Sequence, residues 1–225
     1  MSFKQIVVAD FEYECKVGGL PDVLCMVAHV LNGKNFQHMQ TIRMWRGEFG
    51  SVPPFDIGDD SLFVAYSAWA EMTCFKQLGW GFPKHIFDLH TAYLAASNFL
   101  LPYDPDQVRK KQRKRLSDAC RAYGIHGWEG LDKEDISKSI GEGTWSDRYG
   151  RQDVISYCEE DVRASVELLK AELDGAYHLP PTDRLTCDLV VRILSKSCGA
   201  DSSTRYSHRH AVVGFSAGES SCCCA

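Results

Sequence analysis

Apolar positions in the first half of the chain fall into short runs that stop at Gly, Pro, Asn or Asp. Residues 4–10, 22–31 and 35–45 are apolar or alternating, and "KVGGLPD" and "NGK" separate them. Asn32-Gly33 between two such runs is a hairpin signal, which predicts an antiparallel three-stranded meander. Next come a buried strand at 62–65 in "DDSLFVAYS", a helix over about 69–78, a short strand in "KHIFDLH" and a helix in "TAYLAASNFL" that Pro102 stops. Strands alternating with helices after a meander predict an α/β chain, with a mixed sheet and helices on its faces.

From Pro105 the pattern turns helical. Leu116, Ala119, Cys120 and Tyr123 stand at i, i+3, i+4 and i+7, a stripe that ends at Gly124. A longer amphipathic helix is predicted over 152–173, with Val154, Ile155, Cys158, Val162, Val166 and Leu169 turned to the core. "HLPPTD" at 178–183 reads as a linker, followed by room for one helix. Residues 198–225 are small, polar and aperiodic, which predicts disorder.

Charge and cysteine usage narrow this picture. A formal charge of -5 argues against a generally basic nucleic-acid surface, but "RKKQRKR" at 109–115 holds six basic residues in seven, Lys110, Lys111 and Arg113 among them. The run is either a solvated helix face or a phosphate-contacting strip. No signal-peptide pattern and no membrane-length apolar run occurs, so a cytoplasmic protein without membrane partners is expected. Ten cysteines stand mostly singly and without C-x-x-C spacing, consistent with reduced thiols. Cys222 lies four from the end, as in a prenylation box, but the positions after it are not aliphatic.

The chemistry begins with "IVVADFEYEC". Period two puts Asp10 and Glu12 on one face of a strand while Phe11 turns away. Two such charges repel, so the pair either lies in open water or holds a cation. Further acids recur later. Glu71 stands just inside a predicted helix, where an acid also serves the helix dipole. Tyr157 and Asp161 are four apart and share a helix face, whereas Glu159 and Glu160 point elsewhere.

Taken in order, "DFE", "VAYSAWAE" and "YCEED" resemble the three motifs of the DEDD (DnaQ-like) 3′–5′ exonuclease superfamily, tyrosine subclass. "FDLHTAYL", "LSDACRAYGI" and "HLPPTD" are similar to segments of the proofreading domain of family A, polymerase I-like DNA polymerases. The resemblance implies a ribonuclease H-like three-layer fold with a mixed five-stranded sheet, and an exonuclease domain over 1–178. Two departures stand out. Ser67 and Ala70 replace the usual Asn and Phe of the second motif, and Glu71 replaces the more common Asp. No polymerase motif follows the linker, so no DNA synthesis is expected of this polypeptide.

The resemblance further implies two divalent ions, Mg2+ or Mn2+, held by Asp10, Glu12, Glu71 and Asp161, with Tyr157 orienting the attacking water. The substrate would be a single-stranded DNA 3′ end, the product a nucleoside monophosphate, and a DNA polymerase a candidate partner. Phe11, Ser67 and Trp69 would contact the terminal bases and Lys110, Lys111 and Arg113 the backbone. Two alternatives stay open: a 3′–5′ exoribonuclease of the same superfamily, and a catalytically weakened single-strand-binding module.

Overall fold

The apolar run that opens the chain pairs on both sides, which places it in the middle of the sheet. The computed structural model describes residues 3–14, 19–98, 115–126 and 133–173. Strands β1 (Gln5–Glu14), β2 (Asp22–Asn32) and β3 (His38–Trp45) form the meander, and β4 (Ser61–Ala65) and β5 (Ile86–Asp88) follow. The five-stranded sheet has the order β3-β2-β1-β4-β5. It is mixed, because β1–β2 and β2–β3 are antiparallel while β1–β4 and β4–β5 are parallel. The helices are α1 (Ala68–Gln77), α2 (Leu89–Asn98), α3 (Leu116–Ala122), α4 (Lys133–Glu142) and α5 (Arg151–Leu173).

Alternation along the strands divides the core in two. Ile6, Val8, Leu62 and Val64 pack with Leu89, Ala119, Ile136, Ile140 and the inward stripe of α5. Val7, Ala9, Phe11, Phe63 and Ala65 face the other way, against Ala68, Cys74, Phe75 and Trp80. The sheet thus lies between α1 on one face and α5, with α2, α3 and α4, on the other. Among the described residues no helix is long and apolar enough to cross a membrane.

Several expected boundaries move. β1 runs on to Glu14, so the acid pair lies inside the strand, just before a register shift between Glu12 and Tyr13. The β2–β3 turn is longer than a two-residue hairpin: Asn32 N–H donates to the Gln37 carbonyl, and Phe36, not Gly33, takes the left-handed conformation at φ 57°. Gly33 is needed for another reason, since a Cβ there would collide with the Phe3 carbonyl. Helix α4 was not foreseen from periodicity, because "KEDISKSIGE" offers only Ile136 and Ile140 as large apolar residues. The linker, the tail, and Lys110, Lys111 and Arg113 of the basic run lie outside the described residues.

Phe75 is fully buried and meets Phe11, Phe63 and Trp80 edge to face, with centroids 5.8, 5.3 and 5.3 Å away. Phe75→Ala is therefore expected to cost about 3–5 kcal/mol in denaturant unfolding, the range for deleting a buried aromatic. A loss below about 1 kcal/mol would show that this layer is not tightly packed.

Candidate metal centre

The site exists because β4 stops early. β4 pairs with β1 only over Gln5–Val8, and the chain then turns away into α1, leaving the β1 edge beyond Val8 open. The turn passes through Ser67, in the left-handed region at φ 67° and ψ 55°, which non-glycine residues seldom adopt. The side chain of Ser67 makes no cap; instead Asp88, at the end of β5, accepts the Ala68 N–H at 3.1 Å and the Thr91 N–H at 3.1 Å. One carboxylate therefore fixes the starts of α1 and α2 together.

That anchoring brings Glu71, in the first turn of α1, back to the open edge. Glu71 is only 3% exposed and accepts a hydrogen bond from the Phe11 backbone N–H, while its Oε2 is buried without a partner. Burial, then Asp10, then Asp88 push its carboxyl well above the ordinary range. Asp10 and Glu12 share the face of Ile6 and Val8 and so look toward α5. Burial lifts Glu12 far above the usual carboxylate range as well, and Asp10, Asp161 and Glu71 are among the charges that add to the lift. Glu12 thus lies within electrostatic reach of acids on β1, α1 and α5.

Helix α5 supplies the opposite wall. Tyr157 and Asp161 are one turn apart; burial first, then Glu12 and Asp161, raise the Tyr157 phenol, with a Ser137 hydrogen bond opposing them. The hydroxyl is therefore a proton donor at neutral pH and not a base. Glu159 points away, as its sequence position implied. Its carboxylate takes the Arg43 fork at 2.6 and 2.7 Å and Arg163 at 2.6 Å, pinning α5 to β3. Glu14, next on the same face of β1, is compensated by the Trp145 indole N–H at 2.8 Å and by Arg46 at 3.6 Å.

Other expected contacts separate from this cluster. Phe11 is a correction: it is 4% exposed, on the opposite face, with ring centroids 5.8 and 6.2 Å from Phe75 and Trp80. The side-chain period of two that puts Asp10 and Glu12 together sends Phe11 into the core and leaves no ring face for a base. Trp69 is 80% exposed on α1. Two helical positions before Glu71, it lies on roughly the opposite side of the helix from that acid. Ser67 is half-buried at the β4–α1 turn.

Three residues join the site that the sequence reading did not place there. Cys158, fully buried, donates its thiol to the Asp10 carbonyl at 3.3 Å. Its Sγ and a carboxylate oxygen from each of Asp10 and Glu12 lie within 4.8 Å of one another, a group that can hold a metal ion. Its position three before Asp161 was the available signal. Ser137 stands on α4, which periodicity did not reveal. Asp88 was marked by its place three before Thr91, the spacing of an acidic helix cap.

The donor set suits a hard divalent cation: carboxylates dominate, Glu71 Oε2 has no hydrogen-bond partner among the described residues, and like charges reinforce one another. No protein-family model and no curated protein matches the chain.

The raised Glu12 and Glu71 groups have a thermodynamic consequence. In the metal-free native state they hold protons that the unfolded chain releases, so stability falls as pH rises above the ordinary carboxylate range. A divalent cation bound by these carboxylates would take the place of those protons. Mn2+ should therefore raise the thermal midpoint more at pH 8 than at pH 5, and Glu71→Gln should raise the metal-free midpoint at pH 8 while shrinking the Mn2+ shift. Identical Mn2+ shifts in both proteins would contradict this account of Glu71.

Proposed function

We propose that the chain is a metal-dependent 3′–5′ exonuclease of the DEDD superfamily, tyrosine subclass, with a ribonuclease H-like fold similar to family A proofreading domains. The observation that carries this reading is the Asp10–Glu12 pair on one face of β1, set within 4.8 Å of Cys158 on α5, with the buried Glu71 of α1 bonded to the Phe11 N–H between them and Asp161 one helical turn past Tyr157. The protonated Tyr157 beside them supports the subclass.

Two divalent ions, Mg2+ or Mn2+, supply charge neutralisation at the phosphate and a nucleophile at neutral pH when bound. Asp10 and Glu12, adjacent on one strand face, hold the centre from the sheet side, and Asp161 holds it from α5. Glu71 supports it from α1, with one oxygen tethered to the Phe11 N–H and the other available. Tyr157 keeps its proton and donates a hydrogen bond that orients the attacking water. The substrate is the 3′ end of single-stranded DNA, and each cycle releases a nucleoside monophosphate; a polymerase partner is part of the same proposal.

Glu71 is one methylene longer than the acid usual at this place, and this favours a second reading, a single-strand-binding module with weakened catalysis. RNA as substrate is the other alternative.

Digestion of labelled oligonucleotides separates these readings. With Mg2+, a 5′-labelled DNA strand should give a ladder shortened from its 3′ end, a 3′-label should leave first as mononucleotide, and EDTA should stop both. Asp10→Ala should abolish cleavage, and Tyr157→Phe should slow it about 100-fold, the lower range for losing a positioned proton partner. Faster digestion of RNA would move the substrate class, and strand retention without cleavage in Mg2+ or Mn2+ would leave the binding module.

A further inference from the structure

We infer that Cys158 makes the Asp10–Glu12 pair a binding site for thiophilic divalent cations, Zn2+ or Cd2+, which displace the hard ions from the centre. That the displaced ions are catalytic rests on the exonuclease reading; the binding itself does not.

A hard-cation centre needs no sulfur, yet a buried thiol stands within 4.8 Å of a carboxylate oxygen from each acid of the pair. Zn2+ bonds to sulfur at about 2.3 Å and to carboxylate oxygen at about 2.0–2.2 Å, so modest side-chain shifts bring all three donors into one tetrahedral set. Two features favour their closing on an ion. The Cys158 thiol is held at the base of the pair by its hydrogen bond to the Asp10 carbonyl. Glu71 Oε2, buried and without a hydrogen-bond partner among the described residues, lies outside the three-donor group but within the electrostatic reach of Asp10, and so adds to the demand for a cation there. On binding, the Cys158 S–H bond breaks, its proton passes to solvent, and the sulfur–metal bond forms with no change of oxidation state. Soft thiolate ligands select Zn2+ and its heavier congener over Mg2+ and Mn2+, which prefer oxygen.

The test uses the full chain with Cys222, Cys223 and Cys224 replaced by Ser, stripped of metal and titrated with CdCl2. A sulfur-to-cadmium charge-transfer band should saturate at one ion per chain, and bound Mn2+, followed by electron paramagnetic resonance, should be released in parallel. Cys158→Ser, whose hydroxyl can still donate to the Asp10 carbonyl, should lose this band and weaken Cd2+ binding about 100-fold. The Asp10→Asn/Glu12→Gln double variant keeps the thiol and should weaken Cd2+ binding as severely. A band unchanged in Cys158→Ser, or unaffected by loss of both carboxylates, would overturn the site. A parent protein that shows the band and the Mn2+ release but digests no strand with Mg2+ would remove the exonuclease reading and leave this site standing.

Discussion

Mutual repulsion among carboxylates at the open edge of β1 is the constraint from which the site follows. Glu71 is buried and Glu12 half-buried, and the charges around them include further acids. Such a cluster is costly unless protons or a cation balance it. Elsewhere on the same strand the balance comes from the protein: Glu14 meets an indole N–H and Arg46. For Glu71 Oε2 the described residues supply no hydrogen-bond partner.

The fold tolerates this arrangement because rigid elements impose it. β1 lies at the sheet centre, paired on both sides up to Val8, and the departure of β4 opens one edge where the acids begin. The carboxyl end of a parallel strand, where its neighbour diverges, is a recurrent place for ligand crevices in α/β sheets. Ser67 in the left-handed region and Asp88 across the starts of α1 and α2 set the path that returns Glu71 to that edge. Arg43 and Glu159 clamp α5 against β3, which fixes where Tyr157, Cys158 and Asp161 stand. Strain at Ser67 and the unpartnered, buried carboxyl of Glu71 are thus sustained by packing elsewhere in the molecule.

Much of the sheet was legible because β-strand alternation is a local property. The runs beginning at Ile6, Val23 and Leu62 are short, apolar and bounded by turn residues, and period two correctly paired Asp10 with Glu12. The same rule, applied without the family picture, sends Phe11 to the core, where the structure has it. Helical spacing likewise put Tyr157 and Asp161 on one face. What stayed hidden depends on contacts distant in sequence. The depth of Glu71 is set by where β4 ends and by Asp88, and the role of Cys158 depends on β1 crossing beneath α5. Helix α4 carries too few apolar residues to announce itself, although its Ser137 reaches Tyr157.

The central claim, that a cation balances the converging acids, is tested most directly by anomalous diffraction from crystals soaked in Mn2+ near neutral pH. The account predicts peaks in contact with carboxylate oxygens of Asp10 and Glu12, with Glu71 or Asp161 also engaged. Soaked crystals without a peak there, while Mn2+ binds elsewhere on the chain, would contradict it.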